Sequence, residues 1–251
     1  KLNPKKLLLI ELNEFALYKI NEELKNIAPN LKVVPLLINV QNISRLEEVF
    51  KTFNVDTVYH AAAYKHVPLV EENICESIKN NVFGTFFIAQ IAIKYNVSRF
   101  VLISSDKAVR STNIMGASKR IMEDIIHSSH NVKGSTARFG NVAFSKGSLL
   151  NSFDQRIENG QPIPIPKNVY RYFLTEKEAA SICILSSTLN IEKPTLIPKP
   201  GLLKPITIED IAINYLKQTN REFKFYANDD EYNNERNELS RNIVPLIFDQ
   251  L

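Results

Sequence analysis

An acid and an amine stand side by side at Asp106 and Lys107, directly after the hydroxyls of Ser104 and Ser105. Two titratable groups so placed are what paired general acid and general base work requires. A little further on, Met115 and Lys119 are four residues apart, so on one helix they share a face. A thioether neither gives nor takes a proton usefully. Met115 taken alone therefore reads as core filler and argues against catalysis.

These residues need elements to hold them. Apolar runs at 7–10, 32–38, 55–61, 99–103 and 136–139 predict strands. Between them, helical spacing falls over 15–24 after Asn13-Glu14, over 44–50 with Ser44 as N-cap, over 71–95 with a break near Asn73 or Gly84, and over 113–129. Uniformly apolar strands alternating with helices predict an α/β fold: a doubly wound, Rossmann-type parallel sheet through about residue 140, with strands 7–10 and 100–103 in one sheet. Residues 141–175 are rich in Pro, Gly, Asn and Ser. Pro162, Pro164 and Pro166 there suit extended loop or edge structure, read as a rigid loop over a substrate. A helix over 176–189, a strand over 195–197, a helix over 207–218 and a polar tail over 228–241 complete a smaller C-terminal lobe.

An open α/β sheet binds its ligand beyond the carboxyl ends of its strands. The residues there are Glu11, Asn39, Ala62 to His66, Ser104 to Lys107 and Asn141. A purely structural sheet has no need of Ser-Ser-Asp-Lys after a buried strand.

A hydroxyl at a strand end facing a helix with a residue at i and Lys at i+4 resembles the short-chain dehydrogenase/reductases. Four stretches in order, HAAAYKHVPLVEEN with NNVFGT, SSDKAVRSTNIMGASKR, RFGNVAFSKGSLL and RYFLT, are similar to the polysaccharide-biosynthesis branch of the extended members. These are nucleotide-sugar 4,6-dehydratases acting on UDP-N-acetylglucosamine. One subgroup carries Met where most members carry a catalytic Tyr, and Met115 matches it. The resemblance covers roughly residues 5–220 and is weakest after that.

The resemblance implies NAD as cofactor and a cycle of oxidation at the sugar C4, loss of water across C5 and C6, and re-reduction. It implies that Ser105 hydrogen-bonds near the C4 oxygen, Asp106 protonates the leaving C6 hydroxyl and Lys107 takes the C5 proton. Lys119 would bind the nicotinamide ribose, Asn81 would support the site from its helix, and Ala61, Ala62 and Ala63 would pack against the cofactor. Lys65, Asn141 and Arg171 would lie on the substrate side. The implied organisation is an NAD-binding Rossmann-type domain over 1–140 and a substrate lobe over 141–251, partly interleaved.

Two features depart from the family. None of the seven glycines makes the GxGxxG spacing that cradles a pyrophosphate at a helix N-terminus. The chain is therefore expected to be N-terminally truncated, and its sheet to lack the first central strand, leaving neighbours unjoined. Glu11 stands where an acidic residue binds the adenosine ribose and favours NAD over NADP. Asn39 and Asn42 stand where the family commonly has Asp near adenine.

Composition narrows the classes. In 251 residues, 44% hydrophobic and 23% charged describe a globular chain, excluding fibrous and disordered classes. The net charge, 31 − 27 = +4, is too mild and too dispersed to indicate nucleic acid. Two cysteines, Cys75 and Cys183, read as small buried hydrophobes in a reducing cytoplasm. No apolar run reaches a membrane span, while an anchor before residue 1 stays open. His127 and His130 lack the companions of a metal site and read as surface histidines, so no metal is expected. The resemblance implies a nucleotide sugar as partner, and the fold allows a homo-oligomer. A nucleotide-sugar epimerase or reductase of the same fold remains an alternative, although Met115 disfavours both. A non-catalytic nucleotide-binding fragment is the other.

Overall fold

In the computed structural model, the apolar runs up to residue 139 fold as β1 (Leu7–Glu11), β2 (Val33–Leu37), β3 (Thr57–His60), β4 (Arg99–Ser105) and β5 (Gly134–Phe139). Between them run α1 (Glu14–Ile27), α2 (Ile43–Phe53), α3 (Val67–Glu72), α4 (Ile74–Ser77), α5 (Gly84–Lys94) and α6 (Ile114–Ser128). There follow β6 (Asn141–Val142), α7 (Leu149–Glu158), β7 (Ile163–Pro166), β8 (Tyr170–Arg171), β9 (Phe173–Leu174) and α8 (Glu176–Thr188). The chain continues with β10 (Thr195–Leu196), β11 (Ile206–Thr207), α9 (Ile208–Gln218), β12 (Glu222–Tyr226), α10 (Asp229–Glu235) and β13 (Ile243–Asp249). The structure describes residues 4–129, 133–145, 147–199, 201, 203–236, 240 and 242–249. His130 and part of the polar tail lie outside the described residues.

Two units divide the chain: Lys1–Arg138 with Ser181–Ile197, and Phe139–Ala180 with Pro198–Leu251. The first is a Rossmann-type α/β layer structure. Strands β10, β5, β4 and β3 form one sheet in that order, with β3 parallel to β4 and β5 parallel to β10. Phe100, Val101 and Leu102 of β4 are fully buried, because helices cover both faces. β1 and β2 pair in parallel in a sheet of their own. Strands 7–10 and 100–103 therefore do not share a sheet, which corrects the single-sheet expectation. Among the described residues, β1 bonds only to β2 and β3 only to β4. This is the expected break: no strand joins the two pairs, although Leu8, Ile10, Val58 and Leu102 pack in one core cluster.

The second unit has its own core. Leu150 and Phe153 of α7 and Ile208, Ala212 and Leu216 of α9 pack on Ile163, Ile165, Val244 and Leu246 of the sheet β12-β13-β7. The proline run is thus an edge strand with Ile163 and Ile165 buried, not a loop over a substrate. Alternating prolines leave Ile163 and Ile165 on one face, and β7 needs only one bonded edge. Helix α7 falls inside the stretch expected to be irregular; Ser148 caps it by accepting from the Asn151 N–H.

Other local differences have simple causes. Asn42 rather than Ser44 caps α2, its Oδ1 accepting from the Arg45 N–H. The long helical stretch breaks at Asn73 and passes through a π-helical segment, Ile78–Phe83. Cys75 is exposed and Cys183 half-buried, so neither is a fully buried hydrophobe.

Candidate active site

The site grows from the end of β4. The chain leaves that strand into a 3-10 turn, Asp106–Ala108, capped by Ser105 and pinned by buried Ala108. The Ser105 hydroxyl donates to Asp106 Oδ1 at 3.0 Å, and Lys107 Nζ donates to the same oxygen at 3.2 Å. The Lys107 N–H donates back to Ser105 Oγ at 3.3 Å. Both side chains stay partly open to solvent, 43% for Asp106 and 35% for Lys107, so a ligand can reach them. Ser104 points the other way: its hydroxyl is buried and without a hydrogen-bond partner.

Helix α6 is set against this turn. Asn113 caps it, accepting from the Gly116 N–H at 2.8 Å, while Glu71 Oε1 accepts from the Ile114 N–H at 2.7 Å. A methyl on Gly116 would lie 2.5 Å from the Lys107 carbonyl oxygen, so only glycine lets the helix and the turn approach this closely. Gly116 was missed from sequence; a glycine inside a strong helical pattern was the available signal. Met115 is buried, and its environment is that of a packing residue.

Lys119 is also buried, and its Nζ donates to the Ile103 carbonyl at 2.9 Å. Burial pushes its amine down to about 8, against an opposing pull from Glu123. Beneath it lies His60, fully enclosed; burial first and the Lys119 charge second push its imidazole down to about 3. Its Nε2 lies 2.9 Å from Thr85 Oγ1, and Thr85 in turn donates to the Asn81 carbonyl at 2.5 Å.

Asn81 is the hub of this layer. Its Oδ1 accepts from the Tyr64 N–H at 2.8 Å and from Asn80 Nδ2 at 3.1 Å. Its Nδ2 donates to the Tyr64 carbonyl at 3.1 Å and to Ser118 Oγ at 3.0 Å, and Ser118 donates to the Met115 carbonyl. The π-helical segment aims this one amide at both the loop after β3 and α6. Asn81→Ala should therefore lower stability by about 1–3 kcal/mol through unpaired buried donors and acceptors. Urea unfolding checks this, and a change under 0.5 kcal/mol would sink the hub assignment.

The remaining expected residues fall in two places. Glu11 ends β1, where its Oε1 accepts from the Leu12 and Asn13 N–H groups at 2.8 Å each. Asn39 Oδ1 accepts from the Gln41 N–H, which shapes the loop after β2. Ala62 and Ala63 pack against the core cluster, with Ala61 exposed beside them. Burial pushes the Lys65 amine down. Asn141 and Arg171 belong to the second unit. There the Asn141 Oδ1 is buried without a partner, and Arg171 donates to the Tyr170 carbonyl at 3.0 Å. His127, expected at the surface, is half-buried, with Nε2 3.1 Å from Thr136 Oγ1.

For a dinucleotide, Glu11 fits the adenosine ribose and Lys119, with two N–H groups left beyond Ile103, fits the second ribose. The glycines offer no GxGxxG cradle for the pyrophosphate. Among the described residues no helix is long and apolar enough to cross a membrane.

The model of a family described as polysaccharide biosynthesis protein matches residues 1–236. The chain is 40% identical over 223 residues to the capsular polysaccharide biosynthesis protein CapD of Staphylococcus aureus, covering 86% of this chain and 37% of that protein. It thus spans little more than a third of that relative's length. Among solved structures, Pen from Bacillus thuringiensis superimposes with a TM-score of 0.77 at 27% identity, over 86% of this chain and 67% of that one. DesIV, a dTDP-glucose 4,6-dehydratase from Streptomyces venezuelae solved with NAD bound, gives a TM-score of 0.75 at 15% identity, over 98% and 76%, a likeness of fold.

Proposed function

The chain belongs to the polysaccharide biosynthesis protein family, and on that premise we propose that it serves the NAD-dependent 4,6-dehydration of a nucleotide-activated N-acetylhexosamine, most simply UDP-N-acetylglucosamine. The observation that carries this reading is the convergence of Ser105 and Lys107 on Asp106 at a strand's carboxyl end, beside a buried Met115 and Lys119.

The part proposed for each residue is the one the family resemblance implies, and its surroundings support it. Asp106 already receives two donors on one oxygen, so its carboxyl is held in a fixed orientation for proton delivery to the leaving C6 hydroxyl. Lys107 reaches the same oxygen from the next residue; passage of the proton it donates there to Asp106 would leave a neutral amine to take the C5 proton and a carboxylic acid to protonate the leaving hydroxyl. Ser105 orients Asp106 and has a hydroxyl to offer the sugar C4 oxygen. Lys119 holds the nicotinamide ribose and Glu11 the adenosine ribose. Ala61, Ala62 and Ala63 form the low wall against which the dinucleotide lies, with Asn39 at its adenine end. Lys65 serves the sugar nucleotide. NAD, when bound, supplies reversible hydride storage.

The test is incubation of the protein carrying this chain with NAD and UDP-N-acetylglucosamine. A product lighter by one water supports dehydration. An isomer of unchanged mass would mean epimerisation instead, and recovery of untouched substrate with NAD bound would overturn the proposal.

A further inference from the structure

His60 has no part in the proposed proton transfers, yet it is buried at the end of β3 with 3% exposure. Its ring lies edge-on to fully buried Phe100, centroids 6.0 Å apart, so packing sets the plane of the imidazole. Proton counting then fixes what the ring does. Its Nε2 stands 2.9 Å from Thr85 Oγ1, and Thr85 Oγ1 stands 2.5 Å from the Asn81 carbonyl oxygen. A carbonyl only accepts, so the single Thr85 proton lies on the contact with Asn81. Thr85 is fully buried, and the other partner of its hydroxyl is the ring. The hydroxyl must therefore accept from Nε2–H, which leaves Nδ1 bare in the neutral imidazole.

We infer that His60 is a positioning residue for Asn81: held as the Nε2–H tautomer, it locks the Thr85 hydroxyl onto the Asn81 carbonyl and so aims the amide that joins the loop after β3 to α6. The Asn81 carbonyl also accepts from the Gly84 N–H, whose second acceptor is the Lys79 carbonyl. Both lone pairs of the Asn81 oxygen are thereby filled, and the backbone is pinned inside the π-helical segment. From that fixed backbone the side-chain amide reaches both Tyr64 backbone groups and the Ser118 hydroxyl. Without the donor on the ring, the Thr85 hydroxyl is free to turn, and a bond that holds the segment is lost. The amide then loses its aim at Tyr64 and Ser118, although neither His60 nor Thr85 bonds to them itself.

The consequence for turnover rests on the proposed dehydration, whereas the tautomer and the hydrogen bonds do not. In the protein carrying this chain, labelled with ¹⁵N-histidine, the His60 signals are assigned by their loss in H60Q. Two-bond ¹H–¹⁵N spectra should place the proton on Nε2 and show a bare Nδ1. T85V keeps the side-chain volume and removes the hydroxyl, so it breaks the link without emptying the core. It should speed exchange of the Tyr64 amide proton, which reports on the Asn81 Oδ1, by about 2- to 10-fold. T85S, which keeps the hydroxyl, should restore the parental rate. In turnover, T85V should lower kcat by up to about 10²-fold with little change in KM, and T85S should recover it. A proton on Nδ1 would overturn the inference, and so would parental Tyr64 exchange in T85V. A parental kcat in T85V of an active enzyme would overturn it as well. If tautomer and exchange follow expectation in protein that leaves the sugar nucleotide untouched, the inference stands and the proposed function falls.

Discussion

Lys107→Ala in the protein carrying this chain should reduce dehydration about 10²–10⁴-fold, the usual loss with a positioned base, while dinucleotide binding survives. The amine is joined to Asp106 and not to the core, and its side chain is one-third exposed. Its removal therefore takes away proton transfer without disturbing the fold. Asp106→Asn should be comparably damaging, because an amide accepts the Ser105 hydroxyl but has no acidic proton to deliver. Met115→Leu is the internal control. The position is buried and the exchange nearly conserves volume, so activity should change far less than in either other variant. Steady-state rates together with NAD binding by fluorescence would check all three. Met115→Leu as harmful as Lys107→Ala, with fold and cofactor binding intact, would remove the proton chemistry from the Asp106–Lys107 pair.

Gly116→Ala should both destabilise the chain and slow it. Alanine is the better helix former by about 1 kcal/mol in a helix interior, and less than that gain applies in the first turn of α6. Against it stands the new methyl 2.5 Å from the Lys107 carbonyl oxygen. That oxygen is backbone, fixed between buried Ala108 and the end of β4, and has no rotamer by which to escape. Overpacking of this kind costs about 1–3 kcal/mol, so the clash wins. Relief must come from displacing the Asp106–Lys107 turn, which should lower kcat more than it raises KM. Thermal unfolding beside kinetics decides the matter. An unchanged midpoint with unchanged kcat would show that the contact relaxes without cost.

The parallel α/β order, the strands up to residue 139 and the helix starts at Asn13, Asn113 and Thr207 were legible in the chain itself. They depend on neighbours within a turn or two, through apolar period and side chains that bond the backbone three residues on. The run Ser105-Asp106-Lys107 and the spacing to Lys119 were legible for the same reason, since adjacency in sequence is already adjacency in space. What only the tertiary structure decided concerns partners far apart. Asn81 meets Ser118 across 37 residues, and Glu123 meets Arg138 across 15. By its local pattern Glu123 is an unremarkable helix acid, and β5 alone gives no sign that Arg138 turns inward. The second unit's sheet draws on β7, β12 and β13, strands separated by most of that unit's length. Helix α7 was hidden in a stretch whose composition reads as loop. Even Gly116, visible as an odd residue in a helix, acquires its reason only from a carbonyl nine residues earlier folding back within 2.5 Å. Burial and charge compensation are properties of such meetings, and residue type and local spacing do not contain them.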